Sequence, residues 1–352
     1  MRVAIDCRFG GLHAGLGRYT RELVMALLKV PQTDLQFSLI VRSKDEPWLQ
    51  ELFGSPTLFQ ANFPHYSLAE QMRLPEVIRA SKAQLLYSPH FNVPLRCPVP
   101  FVATVHDLIL HRYPNSASLM KKTGYRLLMR HVMLNAQSVV TVSDFVAGEI
   151  RAAYGDKVQG RLHTLYEGVH PRFAPQAEGV MKAVREQYGL PARYFFYVGN
   201  AKQHKNVPLL LRAFEAAQLP ETGLVLLTGG REAEALRLPK NVQRISGVSD
   251  ADLPALYSGA LACVTASLYE GFCLPAVEAL ACGCPVIAAD RGPLGEVTKG
   301  HALLIEPTVE AFAAAFKAPP ADRTARRLWR WEEVATATID VLRDTTIHNV
   351  GA

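Results

Sequence analysis

Two series of short, uninterrupted apolar runs constrain this chain more than any other feature. In the first half the runs are Val3–Asp6, Leu35–Val41, Leu85–Ser88, Phe101–Val105 and Val139–Val142. In the second they are Phe195–Val198, Leu224–Leu227, Ala262–Thr265, Pro285–Ala288 and Leu303–Ile305. Stretches of helical periodicity separate them, among them Arg18–Leu28, Leu119–Leu134, Val207–Ala217, Ala251–Tyr257 and Leu274–Ala281. A strand that is apolar throughout, rather than alternating, has to be covered on both faces, as in a parallel sheet whose crossovers are helices. Two such series predict an α/β chain of two doubly wound, Rossmann-like domains facing a central cleft. A length of 352 residues suits two domains at about 150 residues each.

Glycines and prolines punctuate Glu167–Pro191, and Pro319-Pro320 marks a second break. The predicted domains are therefore 1–175 and 185–320, followed by a charged, Trp-containing helix over 323–345. With 49% hydrophobic and 20% charged residues, the composition excludes a disordered or fibrous chain. The longest uncharged apolar stretch, near Leu256–Tyr269, falls short of the roughly 20 residues a bilayer requires. The opening Met1–Asp6 reads as a strand rather than a secretory leader. Cys7, Cys97, Cys263, Cys273, Cys282 and Cys284 show no CxxC pair and no metal-ligand spacing. They read as reduced thiols of a cytoplasmic protein.

The net charge is +6, and all of the excess lies in residues 1–180, which hold 20 basic and 14 acidic side chains. That placement favours an anionic partner, such as a phosphorylated substrate or an acidic lipid surface, as much as it favours mere solubility. No basic run interleaved with aromatics points to nucleic acid.

Four loops carry chemistry. Gly10-Gly11-Leu12-His13-Ala14-Gly15-Leu16-Gly17 follows a strand and opens a helix, where backbone N–H groups can approach a phosphate. A dinucleotide fingerprint would need a glycine at Thr20 and an acid at Arg42, and has neither. His106-Asp107 ends a strand at the sheet edge where ligands bind, and an imidazole there can donate to a sugar hydroxyl or move a proton. It can equally be bonded to backbone. Gly199-Asn200-Ala201-Lys202-Gln203-His204-Lys205 is another strand–turn–helix junction, with lysines where a helix disfavours cations unless an anion is bound. Glu270-Gly271-Phe272-Cys273-Leu274-Pro275 leads into a helix that carries Glu278 within an apolar run. A carboxylate there needs a partner, and a ribose diol or a neighbouring cation would serve.

The Glu270-x7-Glu278 block resembles the signature of retaining glycosyltransferase family 4, whose members have the GT-B fold. The likeness covers nearly the whole chain. Gly15-Leu16-Gly17-Arg18-Tyr19-Thr20, Val105-His106-Asp107-Leu108, Val142-Ser143-Asp144-Phe145, Tyr166-Glu167-Gly168-Val169, His204-Lys205-Asn206 and Trp331 resemble its bacterial mannosyltransferase branch. The resemblance implies that Glu278 binds the nucleotide ribose and that Glu270 faces the transferred sugar. The N–H groups of Phe272, Cys273 and Leu274 would hold sugar and phosphate, with Gly271 permitting close approach. Lys205, Gly15 and Gly17 would hold the diphosphate, and His106 would bond a sugar hydroxyl near the reacting carbon. The last helix would cross back to the first domain.

Three positions depart from the family pattern. Cys273 stands where glycine is usual, Ala266 where proline is usual, and Asn200-Ala201-Lys202 where an arginine is usual. Lys202 is then the candidate second phosphate cation.

Asp250-Ala251-Asp252 is a literal DxD, but before an apolar helical run it reads as a helix N-cap, so no metal and no further cofactor is predicted. Cleavage of a nucleoside-diphosphate sugar would be stabilised by lysines, backbone N–H groups and a helix N-terminus. The expected activity is retaining, metal-independent hexosyl transfer. The favoured donor is GDP-mannose and the acceptor a cell-surface glycan, as in polysaccharide or lipopolysaccharide biosynthesis, or a lipid-linked one. A UDP-sugar transferase of the same fold and a nucleotide-sugar-binding module without turnover stand as alternatives.

Over 119–134, Lys121, Lys122, Arg126 and Arg130 stand beside Leu119, Met120, Leu127, Leu128, Met133 and Leu134, and Lys122, Arg126 and Arg130, spaced four apart, share a face. This stretch reads either as an interfacial helix on anionic lipid at the inner face of the cytoplasmic membrane, or as a helix that is core on one side and solvated on the other.

Overall fold

The structure is a computed structural model that describes residues 1–11, 15–114 and 118–347. The chain divides into two compact units, Met1–Gly168 with Arg330–Ala352, and Val169–Trp329.

The first unit is built on a parallel sheet of β1 (Arg2–Asp6), β2 (Gln36–Val41), β3 (Thr57–Gln60), β4 (Leu85–Ser88), β5 (Phe101–Val105), β6 (Ser138–Thr141) and β7 (Leu162–Thr164). Its order is β3-β2-β1-β4-β5-β6-β7, so the winding reverses between β1 and β4. The central strands β4 and β5 are buried along their whole length, as their unbroken apolar sequences require. The edge strands β3 and β7 are only partly buried and mix polar with apolar residues, which is why neither stands out as an apolar run.

The second unit repeats the plan with β8 (Tyr194–Val198), β9 (Gly223–Leu227), β10 (Val242–Ile245), β11 (Cys263–Thr265), β12 (Val286–Ala289) and β13 (Leu303–Ile305), in the order β10-β9-β8-β11-β12-β13. Here the reversal lies between β8 and β11. The helices Val207–Ala217 and Val309–Lys317 cover one face, where Phe195, Phe214, Phe312 and Phe316 form a buried aromatic cluster. The partly exposed edge strand β10, Val242-Gln243-Arg244-Ile245, again lacks an apolar run.

The boundaries differ from those predicted at 175, 185 and 320. Residues from Val169 onward belong to the second unit: the Phe173 ring packs against Tyr257 at 6.2 Å, and the backbone N–H of Gln176 donates to Ser258 Oγ. The helix predicted over 323–345 begins only at Trp331 and runs to Ile347. Residues 323–330 are not helical because tertiary bonds claim them. The Arg323 guanidinium donates to the carbonyls of Ser258 and Ala260, and the Arg326 N–H donates to the carbonyl of Leu280. The helix Trp331–Ile347 belongs to the first unit, where Arg343 pairs with Asp34 at 2.7 Å and Thr345 meets Ser138 at 3.1 Å.

The helix Leu119–Asn135 buries Tyr125, Leu128, Met129, Val132 and Met133. Its opposite face exposes Leu119 (79%), Met120 (84%), Leu127 (52%) and Leu134 (47%) beside Arg126 and Arg130. Among the described residues no helix is long and apolar enough to cross a membrane.

Candidate active site

In an open parallel sheet, ligand-binding side chains gather beyond the carboxyl ends of the strands where the winding reverses. Each unit places one cluster of the predicted site residues there.

In the second unit, β8 leads through Gly199 into a turn over Gln203–Lys205, and β11 leads into the loop carrying Glu270. The Leu268 N–H donates to the His204 carbonyl at 2.7 Å, which ties the two loops together. Lys205 Nζ donates to both oxygens of Glu270, at 2.6 and 2.7 Å, and both side chains are mostly buried. They border a small pocket with Tyr197, Thr265, Ser267 and Cys273. His204 beside them is held neutral: burial, then the charge of Lys205, pushes its pKa down to about 4.

Of the remaining turn residues, Asn200 and Lys202 are exposed, and the Asn200 side chain accepts from the Lys202 N–H. The structure thus separates the two lysines that the sequence offers for phosphate: Lys205 is engaged by Glu270, and Lys202 projects at the surface.

After Glu270 come half-buried Gly271, buried Phe272 and Cys273, and then the helix Leu274–Ala281. Cys273 has φ 84° and ψ 62°, the left-handed region in which a side chain is strained. That backbone explains why glycine is usual at this position in the family the sequence resembles. Burial, reinforced by Glu270, raises the Cys273 thiol far above its ordinary range, so it is a neutral packing group. The first N–H groups of a helix have no acceptor within it, so the turn at Phe272–Leu274 brings donors to the same end of the sheet as Lys205.

Glu278, 2% exposed, lies one helical turn further on and accepts a hydrogen bond from Tyr257 Oη at 3.1 Å. One of its partners is therefore a hydroxyl. The DxD stretch does not cap its helix: Asp252 is at the N-cap position of Leu253–Gly259, but its carboxylate accepts from Ser249 Oγ and Tyr188 Oη instead. Asp250 lies 3.9 Å from Arg172. Among the described residues no three His, Cys, Asp or Glu side chains are grouped to hold a metal ion.

In the first unit, Gly15 and Gly17 form the first turn of the helix Gly15–Lys29, and the predicted loop residues Leu12, His13 and Ala14 lie outside the described residues. His106 follows β5. Its Nδ1 is 3.2 Å from Glu167 Oε1 and its Nε2 is 2.9 Å from the Pro89 carbonyl. Tyr19 stands edge-on to the His106 ring at 4.5 Å and also meets Trp331 at 5.6 Å. Both imidazole nitrogens are bonded within the unit, so a sugar hydroxyl would have to displace one of these partners.

Sequence reading missed the other cluster at this edge. Fully buried Arg8 donates through Nε and Nη2 to both oxygens of Asp6, at 2.8 and 2.7 Å, and its Nη1 lies 2.7 Å from Glu70. Asn92 donates to the same Glu70 at 2.8 Å. The only signal in the sequence is charge at a strand end, Asp6-Cys7-Arg8. The helix N-cap Ser67 and the buried Glu70 three residues on are far from it in the chain.

Comparison with known proteins finds glycosyltransferases. Residues 13–173 match the family model described as Glycosyltransferase Family 4, and residues 181–330 match that described as Glycosyl transferases group 1. The chain is 28% identical over 355 aligned residues to O-antigen chain mannosyltransferase B of Escherichia coli, covering 92% of this chain and 90% of that protein. It is 26% identical to O-antigen chain mannosyltransferase RfbU of Salmonella typhimurium, covering 86% of each. Among solved structures, sucrose-phosphate synthase from Thermosynechococcus elongatus superposes with a TM-score of 0.76 at 22% identity, over 99% of this chain and 100% of that one. At that identity the likeness is one of fold, the GT-B arrangement of two Rossmann-like domains.

Proposed function

Since the chain belongs to the family 4 glycosyltransferases, we propose that it moves mannose from GDP-mannose to a growing cell-surface glycan or its lipid-linked precursor, with retention of anomeric configuration and without a metal. The observation that carries this reading is the grouping of Lys205, Glu270 and Glu278 around the carboxyl ends of β8 and β11. Glu278 takes the ribose diol: a buried carboxylate that already accepts from a hydroxyl has the acceptor chemistry a diol requires. Lys205 exchanges Glu270 for the diphosphate oxygens as the donor enters, and Lys202 reaches the same anion from the surface. The N–H groups of Phe272, Cys273 and Leu274 complete the cradle, and charge building on the leaving phosphate is met by donors already in place. Once released from Lys205, Glu270 faces the sugar. At the ligand-binding sheet edge of the first unit, Gly15 and Gly17 open a helix whose N-terminus suits a phosphate, and His106 suits a sugar hydroxyl.

The choice of mannose and of an O-antigen-type acceptor rests on the two mannosyltransferase relatives. We place the enzyme in the cytoplasm, at the inner face of the membrane, with the exposed apolar and basic face of Leu119–Asn135 on anionic lipid. The experiment is incubation of purified protein with GDP-mannose and a lipid-linked oligosaccharide, with the new glycosidic bond assigned by NMR. An α-mannoside formed from the α-linked donor, in the presence of chelator, supports the reading. Tight GDP binding with no transfer to any acceptor overturns it in favour of a binding module, and transfer from UDP-sugars alone overturns the donor.

A further inference from the structure

Glu167 sits in Tyr166-Glu167-Gly168-Val169, a stretch that no step above uses. We propose that Glu167 is a positioning residue that holds His106 as a doubly protonated imidazolium, so that the ring works through fixed charge and not as a proton shuttle.

A carbonyl oxygen can only accept, so the 2.9 Å contact with Pro89 requires a proton on Nε2. A carboxylate can only accept, so the 3.2 Å contact with Glu167 requires one on Nδ1. A ring with both nitrogens protonated carries a positive charge. Burial opposes that charge, and the bond and charge of Glu167 overcome it, raising the His106 pKa above its ordinary value. Of the other titratable groups around the ring, Asp107 adds negative potential. His90, its ring 6.4 Å away, is kept neutral by burial. Tyr19 is an un-ionised phenol at 4.5 Å.

Glu167 is itself fixed from below. A Cβ on Gly168 would come within 2.5 Å of the Trp331 backbone N and 2.6 Å of its ring, so only glycine lets the chain lie against the start of the last helix. Trp331 in turn touches Tyr19, which touches His106. The contacts form a closed circuit, and it gives Trp331 a role: it fixes the backbone beside the carboxylate that meets the imidazole Nδ1.

The kinetic consequence rests on the transferase reading, but the charge state does not, so the test begins without substrate. In nitrogen-detected NMR of the full chain, with His106→Asn used for assignment, His106 should show both nitrogens protonated and titrate above the ordinary imidazole value. Glu167→Gln should lower its proton affinity about tenfold or more, one unit on the pH scale, and leave Nε2 as the protonated nitrogen. Glu167→Asp should restore most of the shift. Transfer by the wild type should stay level through the ordinary imidazole range, and in Glu167→Gln it should acquire a dependence there. A wild-type His106 that is neutral at pH 7, or a titration unmoved in a folded Glu167→Gln variant, overturns the proposal. Should Glu167→Gln fail to fold, the wild-type titration and Glu167→Asp still decide it. Absence of transfer from every donor would defeat the proposed function and leave these NMR outcomes standing.

Discussion

Lys205 and Glu270, 65 residues apart in the chain, meet as a two-pronged ion pair with Nζ 2.6 and 2.7 Å from the two carboxylate oxygens. The pair ties the loops after β8 and β11 together, and each partner leaves the other a largely buried charge if removed alone. Exposed pairs contribute under about 1 kcal/mol, whereas breaking buried ones costs about 3–5 kcal/mol. Lys205→Met and Glu270→Gln should therefore each destabilise by about 2 kcal/mol, and the double variant by clearly less than their sum. Urea denaturation of the four proteins checks this, and strict additivity would deny the coupling.

Cys273 tests the strained turn. A left-handed residue costs roughly 1–2 kcal/mol relative to glycine, which offsets much of what its buried thiol contributes. Cys273→Gly should lie within about 1 kcal/mol of the wild type. Cys273→Val, β-branched at φ 84°, should lose about 2 kcal/mol or more. Equal stability of the two variants in a thermal melt would contradict the assigned backbone.

The pH dependence of folding carries a mark of His204. Its folded pKa, about 4, is below the unfolded value near 6.5, so the unfolded chain binds the extra proton first. The stability this provides is complete above about 6.5 and is lost as the pH falls through the folded value. His204→Gln should therefore lose less stability than the wild type between pH 6.5 and 4, read by denaturation at fixed pH. Parallel curves would remove His204 from the account.

The exposed face of Leu119–Asn135 predicts binding to anionic vesicles and not to neutral ones. Replacing Lys121, Lys122, Arg126 and Arg130 together by glutamine should abolish co-sedimentation with phosphatidylglycerol liposomes. Since these side chains are exposed or half-exposed, the melting temperature should hold. Unchanged sedimentation would leave the helix as an ordinary solvated one.

The sequence made the centre of each sheet legible and its margins obscure, for a physical reason. β4 and β5 coincide with mainly apolar runs because both of their faces are buried, whereas half-exposed β3, β7 and β10 tolerate Thr, His, Gln and Arg, and the edge strand β13 is apolar although half-exposed. The end of regular structure before Trp331 was hidden too. The run from Arg323 has a helical composition, but its guanidinium and amide groups are claimed by carbonyls some sixty residues earlier in the case of Arg323. In the site, Glu278 and Glu270 could be read from their spacing and from the Gly271 and Pro275 between them. Their bonds to Tyr257 and Lys205 could not, although Lys205 itself reads as a phosphate cation, because a hydrogen bond between distant segments leaves no periodic trace. The link from Glu167 to His106, 61 residues apart, was equally invisible. Cys273 was legible only as a departure from a pattern, and its left-handed backbone supplies the cause.

The central claim is that a nucleoside diphosphate is held by Glu278 and Lys205, and ligand-induced thermal stabilisation tests it most directly. A ligand at a hundred times its Kd adds about 2.7 kcal/mol to folding, a shift of several degrees in Tm. The account predicts that GDP raises Tm more than UDP or ADP, and that Glu278→Gln and Lys205→Met each remove the shift. A GDP shift of undiminished size in both variants would contradict it.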